Sequence, residues 1–154
     1  MKTFGPRIEE NEEGMKSQTR TYQDLLRSKH DEKLFQYFCT SSLKCFHLSS
    51  GSVTDFGDAS RVYTGVSPSP SGEYALVTWI EQPWSYAVPC GRFPKVSQIW
   101  TKNGELVHEI ARLPLALEIP LAFDSCREGP RNITWRDDKP HEVIWTVCQV
   151  CKIL

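Results

Sequence analysis

The chain has 154 residues, with 18 Lys and Arg against 19 Asp and Glu, and a formal net charge of -1. That length fits one ordinary domain and excludes a complete eight-fold α/β barrel of about 250 residues. The 40% hydrophobic and 24% charged content is that of a folded chain. The balanced charge lacks the basic excess of a nucleic-acid binder, and no run of about 20 apolar residues could form a spanning helix. The chain is rich in Pro (10), Gly (9) and aromatics, with 5 Trp, 5 Tyr and 7 Phe. Such a mixture points to many turns and many half-buried strands.

Residues 1–20 carry Glu9, Glu10, Glu12 and Glu13. They have neither the basic start and apolar stretch of a secretory signal nor the acid-poor composition of a transit peptide. We read them as an acidic flexible segment. Residues 21–38 are the helical stretch. Thr21 and Asp24 fit a capping box, and Leu25, Leu26, Leu34, Phe35 and Phe38 recur near helical spacing. Ser28-Lys29-His30-Asp31 interrupts this pattern, which allows either one helix or two short ones.

After Thr40 the pattern becomes that of strands. Leu43 to Leu48, a Ser49-Ser50-Gly51 turn and Val53 to Phe56 read as a hairpin. Tyr63 to Val66 leads through Ser67-Pro68-Ser69-Pro70-Ser71-Gly72 into the apolar strand Tyr74 to Ile80. Val96 to Trp100 and Leu106 to Ile110 flank Asn103-Gly104, which predicts a type I′ turn with positive φ at both positions. Arg131 to Trp135 and Glu142 to Val147 flank an Asp137-Asp138-Lys139-Pro140 turn.

These pieces repeat. The turn glycines Gly51 and Gly104 stand 53 positions apart, and the turns at Ser71 and Asp138 stand 67 apart. The predicted order is two strands, then four, then two. Four strands per unit at a period of about 40–50 residues is the signature of a β-propeller, stretched here by insertions at 82–94 and 114–130. The expected fold class is therefore all-β with one helical segment. It is a partial β-propeller with a half blade at 42–57, a full blade at 61–113, a half blade at 131–147 and an apolar tail at 148–154. Exposed blade edges make self-association an expectation.

Six cysteines, Cys39, Cys45, Cys90, Cys126, Cys148 and Cys151, are scattered. Without a secretory signal they read as reduced thiols. Cys148-Gln-Val-Cys151 is a lone CxxC with no second pair at metal-ligand spacing. A small zinc protein built on Cys126, Cys148 and Cys151 is the weaker alternative, so no metal and no cofactor is expected. The four histidines, His30, His47, His108 and His141, are far apart, and none pairs with an obvious acid and nucleophile. Asp137-Asp138 reads as a turn, and the Asn132-Ile133-Thr134 sequon as inert without secretion.

Three stretches are distinctive: TYQDLLRSKHDEKLFQYF, VYTGVSPSPSGEYALVTWIEQPWSYAVPCGRFPKVSQIW and LPLALEIPLAFDSCREGPRNITWRDDKP. They resemble the plant glutamyl endopeptidase family of the prolyl oligopeptidase group of serine peptidases, over about Thr21 to Trp145. Val88 to Pro94, Leu113 to Ala116 and Ile119-Pro120 carry the resemblance most specifically. It implies an N-terminal β-propeller that covers a C-terminal α/β-hydrolase domain, with the catalytic Ser, Asp and His in the latter. The hydrolase domain and peptide substrates are the partners it implies, without nucleic acid or membrane. This chain matches a middle section of the propeller. Its nearest approaches to a GxSxG elbow, Gly51-Ser52 and Gly65-Val66-Ser67, lack the second glycine, so no catalytic residue is carried over.

The resemblance gives Arg92 two readings. As a cation near the channel it would attract an acidic substrate side chain by bidentate contact. As a structural residue, the reading we favour, it would brace loop carbonyls beside Gly91. After Trp145 the chain departs from the polar, Gly-rich sequence of that family, as a truncated gene product would. The expected function is a propeller segment of a glutamyl endopeptidase-like peptidase, inactive alone. The family resemblance implies the chloroplast stroma, and the missing transit peptide implies the cytosol for the chain as written. The alternative is an independent interaction module that completes its propeller by oligomerising.

Overall fold

The computed structural model describes residues 22–57, 59–117, 119 and 127–147. Predictions that fall on 1–21 or 148–154, including the acidic segment, Thr21, the CxxC pair and the apolar tail, lie outside these residues, as does Cys126.

Among the described residues one α-helix, α1 (Lys29–Cys39), precedes eight strands. The strands are β1 (Lys44–Phe46), β2 (Val53–Asp55), β3 (Val62–Pro68), β4 (Tyr74–Ile80), β5 (Lys95–Thr101), β6 (Leu106–Leu113), β7 (Pro130–Trp135) and β8 (Val143–Val147). They form antiparallel sheets of two, four and two strands, ordered β1-β2, β3-β4-β5-β6 and β7-β8. The two–four–two arrangement predicted from the repeat is therefore present in this mostly β chain.

The helix differs from its prediction at the start. Ser28, expected to interrupt it, is the N-cap, and its Oγ accepts from Asp31 N at 3.2 Å. Asp31 and Glu32 then sit in the first turn, where carboxylates meet the positive end of the helix dipole. Asp24, the expected capping-box acid, has φ +60 and stands outside any helix. The pattern Ser-x-x-Asp occurs at 28–31 as Thr-x-x-Asp does at 21–24, and only the later one leads into an uninterrupted helical run.

The β5–β6 turn also differs. Gly104 has φ +84, but Asn103 is not in the left-handed region. Gly104 N donates to Thr101 O at 2.9 Å and Thr101 N donates to Glu105 O at 2.8 Å, so the loop holds three residues. Such a loop needs a positive φ only at its last position. Thr101 Oγ1 favours it by accepting from Asn103 N and Glu105 N, each at 3.3 Å. The tip then packs on the preceding half blade. A Cβ on Gly104 would overlap Gly57 N and stand 3.0 Å from the Phe56 carbonyl carbon.

The inner strands β4 and β5 are buried on both faces, while β3 and β6 are largely exposed. Successive β4 residues point to opposite faces. Ala75, Val77 and Trp79 join Val96 and Trp100 in one core, completed by Leu43, Phe56 and Tyr63. Trp100 lies 5.8 Å from Phe56 and 6.2 Å from Trp79, ring centre to centre. A buried aromatic removes about 150–250 Å² from water, so these two tryptophans carry much of the sheet's apolar stabilisation. On the opposite face Leu76 is also buried. At the end of the sheet Val62 and Ile80 join a second core with Val88 and Phe93, sealed by Leu26, Phe35, Trp84 and Leu115. The insertion 82–94, predicted only as a stretched loop, thus supplies core residues. The β7–β8 pair docks through Trp135, whose Nε1 donates to Ser67 O at 2.9 Å.

Candidate functional site

Arg92 ends a short 3₁₀ turn, Cys90–Arg92, in the insertion between β4 and β5. Pro89 and Phe93 flank it in extended conformation. Phe93 is 1% exposed and packs edge-on against Phe35 at 5.9 Å and tilted against Trp84 at 5.3 Å. This aromatic anchor fixes where Arg92 stands. Its guanidinium lies over the Tyr22 ring, 5.4 Å from the centroid, a cation–π arrangement. Beside it, Tyr22 to Arg27 and Tyr86 line an open groove of about 640 Å³. The Tyr86 hydroxyl is pushed above its usual range, first by its hydrogen bond to Glu32.

A second arginine, which the sequence did not suggest, braces carbonyls in this loop. Arg127 Nη2 donates to Phe93 O at 3.1 Å and also to Pro114 O. Burial lowers the pKa of this guanidinium. Arg127 is 34 positions from Phe93 and sits in the second insertion, so nothing local marks its role. Ala116 N donates to Arg92 O at 3.0 Å and ties the two insertions together again.

A second constellation corrects a prediction. His141 does meet an acid and a hydroxyl. Its Nδ1 lies 3.1 Å from Ser71 Oγ, its Nε2 lies 3.7 Å from Glu73 Oε2, and its ring stands edge-on to Tyr74. The sequence hid this because 70 positions separate the partners. The arrangement is a tie between two turns. Ser71 Oγ also accepts from Glu73 N at 3.2 Å and contacts Ser69 Oγ at 2.9 Å, so turn geometry occupies the hydroxyl. His141 and Glu73 are open to solvent, at 46% and 61% side-chain exposure. A nucleophile needs a drier setting and donors for an oxyanion.

A third cluster runs along one face of the central sheet. Trp100 Nε1 donates to Gln98 Oε1 at 2.8 Å, and Gln98 Nε2 donates to Glu109 Oε2 at 2.8 Å. Arg112 grips Glu109 through Nε and Nη2, at 3.1 and 2.9 Å, and also pairs with Glu81. Hydrogen bonds from Arg112 first, then Gln98, hold the Glu109 carboxyl below the usual range. Hydrogen bonds to Glu109 first, then Glu81, raise Arg112. Glu81 Oε2 accepts from Trp79 Nε1 at 3.4 Å, and Arg61 lies 4.4 Å over the Trp79 ring. The network therefore satisfies the indole N–H groups of both core tryptophans.

The remaining predicted positions serve structure. Gly51 lies in the β1–β2 turn and Gly65 at a bulge in β3, and neither opens a helix as an elbow must. Asp138 pairs with Arg136 at 2.6 Å, which also binds Glu142 at 2.8 Å. Hydrogen bonding to Arg136 lowers Asp138. Cys39, Cys45 and Cys90 are free thiols, and no group of three metal-ligating side chains gathers among the described residues.

No protein-family model matches the chain, and no solved structure matches it. Two curated plant proteins do, each named "Probable glutamyl endopeptidase, chloroplastic". The one from Oryza sativa subsp. japonica is 45% identical over 145 residues, covering 94% of this chain and 15% of the relative. The one from Arabidopsis thaliana is 43% identical over 145 residues, with the same 94% and 15% coverage. The chain thus spans about 15% of the length of the curated relatives it matches, and the resemblance read from its three stretches holds along nearly all of it.

Proposed function

We propose that this chain is a section of the β-propeller of a glutamyl endopeptidase-like serine peptidase, comprising one full blade and two half blades. The observation that carries this reading is the 45% identity over 94% of the chain to a plant protein of that name. The two–four–two strand order supports it, as does the burial of the inner strands β4 and β5 on both faces. In this reading the section is scaffold. It helps enclose the path of a peptide toward a hydrolase domain that other residues supply, in the chloroplast, the compartment that the relatives' names give. Residues 42–57, 61–113 and 131–147 are the three blade portions, with 21–38 as a helical insertion.

Arg92 belongs to this scaffold through its stack on Tyr22. The observed clusters tie loops together and satisfy buried tryptophans, and none presents an activated nucleophile. The purified chain is expected to leave glutamate-containing peptides uncleaved. Cleavage that a serine-directed inhibitor blocks and that copurifies with the chain would overturn the reading.

A further inference from the structure

The central sheet has two unlike ends. Val62 pairs with Ile80, Ile80 with Lys95 and Lys95 with Leu113, so the segments that follow Ile80 and Leu113 leave from the same end. The Ser41↔Arg61 bridge brings the exit of α1 there as well. At the other end the strands are joined by short polar turns, Ser69 to Glu73 and Lys102 to Glu105. At the insertion-bearing end α1 is held by one side. Phe35 packs on Trp84 at 5.2 Å and on Phe93 at 5.9 Å, ring centre to centre. Gln82 Nε2 donates to Gln36 Oε1 at 3.3 Å.

That one side does not use up the apolar surface of the helix. Successive helical residues stand about 100° apart, so Tyr37, Leu34, Phe38 and Phe35 form an apolar arc about 160° wide. Of these four, Phe35 packs in the second core. Leu34 is 41% exposed, Tyr37 78% and Phe38 75%. The Tyr37 and Phe38 rings meet edge to face at 5.1 Å, as a single aromatic knob. Apolar residues scattered singly on a surface need no explanation. Large ones at i, i+3 and i+4 are the anchors by which a helix lies in an apolar groove. The groove at 22–27 of another copy does not suit them, because Gln23, Asp24 and Arg27 line it. The chain spans 15% of the length of its curated relatives, so most of such a polypeptide lies outside this section.

We propose that the face of α1 formed by Leu34, Tyr37 and Phe38 docks in an apolar groove on the part of the peptidase polypeptide outside this section, within the same molecule. The helix is then clamped from two sides, with Phe35 turned toward the blade and the Tyr37–Phe38 knob toward the remainder. The contact joins the insertion-bearing end of the blades to the rest of the protein and leaves the end with short polar turns to water. This inference rests on the reading of the chain as a section of a longer peptidase, and it adds where that section meets the remainder.

The contact can be read in the intact rice relative, with a photo-crosslinking phenylalanine analogue at the position aligned with Phe38. Irradiation should give a link within one polypeptide that peptide mapping places outside the matched 145 residues. A link confined to those residues, a link between copies, or no link overturns the proposal. Tyr37→Ser combined with Phe38→Ser tests the same face in this chain. In the isolated chain both rings are exposed, so the melting temperature should stay within about 2 °C. In a chimera that carries this chain in place of the matched rice section, the same pair should lower it by more than that. Equal shifts in the two settings, or none in either, overturn the proposal. A chimera that lacks its parent's circular dichroism before any substitution would sink the blade reading alone, since the crosslink in the rice relative still decides what this face meets.

Discussion

Gly104→Ala isolates one inter-unit contact. Gly104 and Gly72 both have positive φ, +84 and +73, and both lie in turns of the central sheet. An alanine at either position meets the same backbone penalty, about 1–2 kcal/mol for an L-residue in the left-handed region. Space around them differs. Nothing lies within 4 Å of a Cβ at Gly72, while a Cβ at Gly104 overlaps Gly57 N and crowds the Phe56 backbone. Backbone atoms cannot swing aside as a side chain can. The β5–β6 tip must lift off, which also loosens the Gly57 contact with the Trp100 ring. Overpacking of this kind costs about 1–3 kcal/mol. Gly72→Ala should therefore cost about 1–2 kcal/mol, and Gly104→Ala roughly twice that, a large part of a typical domain's stability. Urea titration followed by tryptophan fluorescence reports both, because Trp79 and Trp100 are 1% and 3% exposed. If Gly104→Ala falls within about 0.5 kcal/mol of Gly72→Ala, the packing of turn on half blade is wrong.

Three further outcomes follow from the clusters. Arg127→Leu leaves the Phe93 and Pro114 carbonyls without their donor, so stability should fall by about 1–3 kcal/mol, and thermal melting that stays unchanged would refute the bracing role. His141→Ala removes the tie to Ser71 and Glu73, so amide exchange should quicken in β7–β8 while β3–β6 stay protected; equal protection in both would refute it. Glu109 is held below its ordinary pKa of 4.5 by Arg112 and Gln98, so its contribution is present above that value and lost as pH falls through the lowered one. Glu109→Gln should flatten the stability profile in that acid range, and an unchanged slope below pH 4.5 would contradict the assignment.

The strands were legible because two local signals agree. Dense apolar runs mark Tyr74 to Ile80 and Val96 to Trp100, and glycines at 51, 72 and 104 punctuate them with the positive φ that a turn needs. The two–four–two order then followed from counting. Local chemistry misled where two signals competed. Thr21-x-x-Asp24 and Ser28-x-x-Asp31 have the same form, and only the second caps the helix. Asn103-Gly104 suggested a two-residue turn, but the Thr101 hydroxyl favours three.

The clusters were illegible for another reason. Arg127 meets Phe93, and His141 meets Ser71, only because separate units stack. No spacing rule connects residues 34 or 70 apart. Arg92 was visible, because Cys90-Gly91-Arg92 stands out within an insertion. Its neighbour Tyr22 was not, since that contact depends on the chain before α1 folding back over the loop.

The central claim is that these residues serve as a propeller section in a glutamyl endopeptidase. The most direct measurement replaces the matched 145-residue section of the rice relative with that of this chain and follows cleavage after glutamate. The chimera should keep kcat/KM for glutamate peptides within about tenfold of the parent, and Arg92→Ala within it should change KM by less than about twofold. A chimera that folds, with the parent's circular dichroism and melting temperature, yet no longer cleaves after glutamate would contradict the account.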